Sequence, residues 1–408
     1  MRNLLLSILF LCFGTIISAQ TWTQVASLPS NVSGRNHPVT FSLNGYGYLG
    51  TGYYQTNNTE FVMSDFLKYD PKANTWTKLD DFPGQSRGFS YGTTVGDTAY
   101  MGFGLSIGLD SNTQQPFAIF LDDLWAFNAA SETWRQLKSC ACEPRYHPAF
   151  VSTNDKIFVG LGRTRQSDMK DWWEYDIATD SWSRKPDFPG EQRHHPYFFS
   201  IDSLVYVGFG HGRSIYKDFY EYNPRTEKWR RISNLPAQGR VAGTQFSHRG
   251  KGYVLSGQGE DHRNLATGEF WQYDPLADDW TQLPAHPGTG RWAPGSFIIG
   301  DSLYFSTGFT QIDEKDMWMF ELPGGPTASV QDEVMANRWH PNPTTGKLEI
   351  TGIQEGTIEV YDLRGQLLKT CTISVGEIDL SGMQNGMYLL RGIGGDIVGQ
   401  SFRVQVIH

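Results

Sequence analysis

The sequence predicts an all-β protein, a six-bladed β-propeller followed by a small β-sandwich. Three observations carry this. A unit of about fifty residues recurs six times. Each unit holds four short apolar runs parted by turn residues. The repeat ends at Pro323, and a different pattern of short alternating strands takes over.

The chain opens on a positive Met1-Arg2-Asn3, an apolar run from Leu4 to Ile17 and a small-residue pair, Ser18-Ala19. That order is a secretory signal peptide, expected to be cut before Gln20. The apolar run is shorter than a membrane span needs, and no later segment is apolar enough to cross a bilayer. The expected division is therefore 1–19 signal peptide, 20–323 propeller, 324–334 linker and 335–408 sandwich.

The unit is clearest between Arg193 and Trp229, RHHPYFFSIDSLVYVGFGHGRSIYKDFYEYNPRTEKW. Pro196 to Ile201 reads as a first strand, Leu204 to Val207 as a second, Asp218 to Tyr222 as an aromatic third, and Lys228 to Arg230 as a fourth. Such a sheet has two apolar faces and needs neighbours to cover both. The closing Trp recurs as Trp22, Trp76, Trp134, Trp182, Trp229 and Trp280, at spacings of 47 to 58 residues. A leading Arg recurs as Arg35, Arg87, Arg145, Arg193, Arg240 and Arg291, and the third strand as FLKYD, LWAFN, WWEYD, FYEYN, FWQYD and MWMFE. Trp22 has no strands before it, whereas the sixth unit ends without a fourth strand. Thr21 to Ala26 is expected to supply that strand and close the ring, leaving no open sheet edge.

Over residues 22–323 the chain resembles the kelch-repeat family. Kelch repeats carry a Gly-Gly doublet after the second strand. Here the pattern is Gly50-Thr51-Gly52, Gly102-Phe103-Gly104, Gly160-Leu161-Gly162, Gly208-Phe209-Gly210 and Gly257-Gln258-Gly259, with only Gly308 in the sixth unit. None extends to a nucleotide-binding GxGxxG.

The net charge of −9 is mild and spread out, with no basic stripe, which argues against a nucleic-acid partner. Cys140 and Cys142 are left either bridged or free. An exported chain favours a bridge, but the spacing is near the workable limit.

By the resemblance, the segment leading into each first strand and the loop between second and third strands share one end of the propeller. Function in such folds sits on loops. The expected binding residues at this mouth are Arg35, His37, Arg87, Arg145, Tyr146, His147, Arg193, His195, His211, Arg240, Arg291 and Trp292. Arg forks hold carboxylates, and flat rings face sugars, so the expected ligand is anionic or polyhydroxylated. The arginines equally fit a scaffold role, tying loop carbonyls. His37, His147 and His195 each fit a strand cap or a shared metal, since nothing in their spacing forces them together. The reading adopted is no metal and no cofactor. It is an extracellular binding module for a protein or glycan, acting as a monomer rather than an enzyme. The alternative is a carbohydrate-active enzyme of the sugar mutarotase type, a class that some secreted kelch proteins resemble.

After the Gly/Pro-rich segment from Gly324, the runs PNPTTG, VYDLRGQ and DLSGMQNGMYLL resemble the type A sorting domain of the type IX secretion system. The resemblance rests on Pro341, Asn342, Pro343, Gly346, Asp362, Gly365, Gly386 and Tyr388. It implies recognition by the secretion machinery and a secreted or outer-surface location. The usual Lys near the terminus is Arg403 here.

Overall fold

The structure is a computed structural model that describes residues 21–57, 59–153, 155–323, 339–340, 344–350, 355–362, 366–374, 376–395 and 401–408. The expected signal peptide, the whole 324–334 linker, and Pro341, Asn342, Pro343 and Gly365 of the sorting motif lie outside them. The chain divides into two compact units after Pro323.

The first unit holds six four-stranded antiparallel sheets. Blade 1 is Val39–Leu43, Tyr46–Gly50, Phe66–Asp70 and Thr75–Lys78. Blade 2 is Tyr91–Val95, Thr98–Gly102, Leu124–Asn128 and Thr133–Leu137. Blade 3 is Ala149–Ser152, Lys156–Gly160, Trp172–Asp176 and Ser181–Lys185. Blade 4 is Tyr197–Ile201, Leu204–Gly208, Phe219–Asn223 and Lys228–Ile232. Blade 5 is Thr244–His248, Lys251–Leu255, Gly268–Asp274 and Asp279–His286. Blade 6 is Gly295–Ile299, Ser302–Ser306 and Met317–Glu321, completed by the N-terminal strand Trp22–Val25. That strand pairs antiparallel with Met317–Glu321, Trp22 opposite Phe320, so the ring closes as the sequence predicts.

Blade faces carry aromatic side chains because a wedge between two sheets needs large, rigid fillers. The second strands are almost wholly buried. The Trp of each fourth strand covers the joint with its neighbour. Five of the six indoles donate across to a backbone carbonyl of the preceding blade's segment: Trp22 to Pro284, Trp76 to Ala26, Trp182 to Lys138, Trp229 to Pro186 and Trp280 to Ser233.

Two loops contain structure the sequence reading did not expect. Tyr53–Thr56 with Thr59–Val62, and Leu105–Leu109 with Pro116–Phe120, are β-hairpins standing on blades 1 and 2. The glycine register in blade 5 also needs correction. The structural counterpart of Gly50-Thr51-Gly52 is Leu255-Ser256-Gly257, not Gly257-Gln258-Gly259. The middle residue has positive φ in every blade, 65° at Ser256 and 55° at Thr51. The residue common to all six blades is the second one, Gly52, Gly104, Gly162, Gly210, Gly257 and Gly308. At Gly104 a Cβ would lie 2.6 Å from the Gly88 carbonyl oxygen, which is why only glycine fits there.

The second unit is a seven-stranded sheet. It folds over one apolar core that includes Leu348, Ile358, Val360, Ile373, Leu390 and Val404. Its two ends meet where Thr344 pairs with Val406.

Candidate functional site

The lead-in arginines build the frame of the mouth. Arg35, Arg87, Arg145, Arg193 and Arg240 are 0 % exposed and Arg291 is buried as well. Each meets an acid at the start of its blade's third strand: Asp65, Asp123, Asp171, Asp218 and Asp316 stand immediately before it, and Glu269 is the second residue of the longer blade 5 strand. In five blades the pairing is two-pronged, as in Arg35, whose Nη1 and Nη2 donate to the two Asp65 oxygens at 2.6 and 2.7 Å. Nη1 of these five also donates to the carbonyl of the positive-φ residue, Thr51, Phe103, Leu161, Phe209 or Thr307. Blade 5 carries a longer Glu, and only Arg240 Nη2 reaches it, at 2.9 Å. A Trp two residues after the acid donates to it in blades 2, 3, 5 and 6. Burial pushes the Asp171 carboxyl up, but the Arg145 guanidinium and the Trp173 N–H outweigh it and hold it below its usual range.

The same arginines join neighbouring blades through their backbones. The N–H of Gly52, Gly104, Gly162, Gly210, Gly257 and Gly308 donates to the carbonyl of Arg87, Arg145, Arg193, Arg240, Arg291 and Arg35 in turn. These six bonds form a complete ring, and the last one returns to blade 1. The expectation that these arginines receive an anionic ligand is therefore corrected. Their guanidiniums are buried, and carboxylates of the same blades already hold them. The sequence carries the signal for this in an acidic residue directly before each aromatic run FLKYD, LWAFN, WWEYD, FYEYN, FWQYD and MWMFE.

Two residues after each Arg comes a second ring of positions, at the axis: His37, Phe89, His147, His195, Ala242 and Ala293. All six have left-handed backbones, with φ between 47° and 64°. His37 N–H donates to the Ala293 carbonyl, His147 to Phe89, His195 to His147 and Ala293 to Ala242. Below this collar the first strands of the six blades line a cavity of about 300 Å³ with Thr40, Thr93, Ser152, Ser200, Ser247 and Ser296 among its walls.

The sequence left open whether the three histidines meet, and they do. All are buried, and one nitrogen from each lies within 4.8 Å of the others. His37 Nε2 is 2.8 Å from His195 Nε2, and the His147 and His195 rings lie face to face. Burial holds His37 down to about 3. Burial, and then the neighbouring imidazoles, hold His147 and His195 well below the usual imidazole range. The cluster is therefore neutral at neutral pH. Phe89 and Trp292 present ring edges to it.

Outside the collar lies a second imidazole group. His194 Nδ1 is 2.9 Å from Asp168 Oδ1, which also accepts from Arg163 Nη1 at 3.0 Å. His211 packs between His194 and His262. Tyr146 is half-buried against Phe89, Phe120 and His147. The lead-in segments and the second-to-third loops do share one end, since Asn36 bridges Tyr53, Tyr146 bridges Arg163, His194 bridges His211 and Trp292 bridges Phe309.

Comparison with known proteins gives the same picture. The KLHDC2/KLHL20/DRC7 Kelch-repeats domain family matches residues 108–248. The secretion system C-terminal sorting domain family matches residues 338–398. The chain is a kelch-repeat propeller with a C-terminal secretion sorting domain. A solved structure described as "Structure of YjhT" aligns with a TM-score of 0.57 at 16% identity, over 72% of this chain and 96% of that one, a likeness of fold. No curated protein matches. The sorting domain marks this kelch protein for export by type IX secretion, to the cell surface or the medium. Among the described residues no helix is long and apolar enough to cross a membrane. Cys140 and Cys142 form a disulfide, in keeping with an exported chain.

Proposed function

We infer that this secreted kelch propeller is an extracellular recognition module whose ligand surface is the loop end. One observation carries the reading. Among the described residues of the propeller, the exposed large apolar side chains Phe61, Leu109, Phe117, Phe309 and Ile312 all sit on second-to-third connections, and only Leu276 lies elsewhere. Their blades, 6, 1 and 2, are consecutive in the closed ring, so the groups form an arc rather than a scatter. Tyr54 stacks on Phe61 with ring centroids 4.8 Å apart. Tyr54, Phe309 and Ile312 line one cavity of about 440 Å³, and Phe117, Phe120 and Arg165 line another of about 410 Å³. Exposed apolar groups gathered on one side mark an interaction surface. Aromatic rings that offer a flat face suit a protein or a sugar ring.

The test places a photo-crosslinking residue at position 117 or 276 of the exported chain on living cells, beside a glycan array probed with wild type and the Phe117→Ser, Phe309→Ser double variant. The reading expects adducts from position 117 and not 276, or array binding that the double variant loses. Adducts from both positions alike, or from neither with a blank array, overturn it.

The Asp168–His194 pair beside Tyr146 favours a second reading, sugar mutarotation, which needs only an acid and a base beside a bound sugar. Anomer exchange followed by proton NMR over a panel of reducing sugars tests it. Exchange no faster than in buffer removes this reading.

A further inference from the structure

We propose that His37, His147 and His195 form a binding site for one late first-row divalent cation, such as zinc, on the propeller axis. This goes beyond the recognition surface and does not depend on it. Three residues separated by 48 to 158 positions in the chain reach one point because each occupies the same collar position of its blade. The other three collar positions are apolar, Phe89, Ala242 and Ala293.

A buried polar group ordinarily has a partner. Here both ring nitrogens of His147 and Nδ1 of His195 have no hydrogen-bond partner among the described residues. Those nitrogens are buried in a cluster walled by Phe89 and Trp292, with nothing but the other imidazoles to face. An ion at about 2.0–2.1 Å from each imidazole nitrogen sets the nitrogens roughly 3.3 Å apart. The three donor atoms already lie within 4.8 Å of one another, and ion binding turns the stacked His147 and His195 rings so that their nitrogens converge. Three imidazoles suit zinc, copper, nickel or cobalt, and they leave a fourth position for water or a ligand.

Outer contacts already orient one of the three. His37 Nδ1 is 2.6 Å from Asn36 Oδ1, and Asn36 Nδ2 donates to Asp313 Oδ1 at 2.7 Å. With the Asn36 oxygen accepting, the His37 proton sits on Nδ1, and Nε2 keeps its lone pair toward His195. A histidine ligand whose other nitrogen is held by a hydrogen-bond chain ending on a carboxylate is the usual outer arrangement of metal sites.

The test uses the full chain, stripped with chelator, dialysed and loaded with zinc or cobalt(II). The expected result is one ion per chain by metal analysis and the visible absorption of four-coordinate cobalt. His147→Phe and His195→Ala borrow residues that other blades carry at the same collar position, so the fold has a precedent for both. Each should lower the ion content at least tenfold at equal loading and abolish the cobalt bands. His211→Ala, in the outer imidazole group, should leave both unchanged. Less than one ion in five chains of folded wild type, six-coordinate cobalt spectra, or undiminished loading of both collar variants each overturns the proposal. So does loss of the ion in His211→Ala alone.

Discussion

Removing one lead-in arginine should destabilise the propeller far more than removing an exposed one, and Arg145→Ala is the sharpest case. The Arg145 side chain is 0 % exposed and its partner Asp171 is 12 % exposed. Truncation strips Asp171 of both guanidinium bonds and leaves the Leu161 and Glu143 carbonyls without their donors. Breaking a buried pair by removing one partner costs about 3–5 kcal/mol, because the remaining charge stays buried. Trp173 still donates to Asp171, which places the loss toward the lower end. The backbone bond from Gly104 to the Arg145 carbonyl is retained, so the blade junction stays and only the side-chain clasp is tested. With a urea dependence of ~3 kcal/mol per molar, the midpoint should fall by about 1 M. The comparison is Arg249→Ala. Arg249 is paired with Asp301 at the opposite end but is 49 % exposed, where such pairs contribute roughly 0–1 kcal/mol. Equal urea midpoints for the two variants would refute the reasoning that the six clasps hold the ring.

Two further outcomes follow from the same structure. Deleting residues 21–28 removes the outer strand of blade 6, the Trp22 indole packed on Phe320 and the buried Leu28. Trp22→Ala alone should cost about 3 kcal/mol, and thermal unfolding should show the deletion falling well below it; a melting temperature equal to wild type for the deletion would sink ring closure by this strand. His286 is buried against Trp22 and Phe305, between Ser256 and the Pro287 carbonyl, with Arg291 and Asp316 nearby. Burial lowers it to about 4 despite the Pro287 carbonyl, so its contribution is complete above the unfolded value near 6.5 and is lost as pH falls from there to about 4. His286→Phe should flatten the fall of unfolding midpoint across that window by up to one proton's worth, and an unchanged slope argues against it.

The blade count, ring closure and sorting tail were legible because they depend on periodic, chemically loud residues. Trp, Arg and paired aromatics recur at one spacing, and each marks a strand whose apolar face must be covered. Other features were harder to read for definite reasons. The fifth blade's glycine pattern was misread by two positions, because Gly259 makes a local match while Leu255 and Ser256 fill the places held elsewhere by glycine and Thr51. The hairpins on blades 1 and 2 stand outside the four-strand repeat, so Leu105, Ile107 and Leu109 alternate in a segment where the period calls for a loop. The clasp acids were visible at a fixed offset. Their meaning, however, depends on a contact between residues 25 to 36 positions apart, which periodicity alone does not supply.

The histidines show where periodicity does supply a contact. In a closed ring of six like units, residues at one offset from the repeat marker lie at one height and one distance from the axis. Arg35, Arg145 and Arg193 each precede a histidine by two positions, so those histidines occupy equivalent places whatever their separation in sequence. Whether equivalent places touch depends on the radius, and the sequence does not state it. The backbone does. Each Arg turns outward into its own blade, and the left-handed residue two positions later turns inward, joined to its neighbours around the collar. With the six lead-in arginines held internally by carboxylates, the chemistry left for the mouth is imidazole at the centre and aromatic carbon with loop arginines such as Arg165 around the rim. A ligand selected by that surface meets ring faces and lone pairs first, and the lead-in arginines are not the basis on which to look for it.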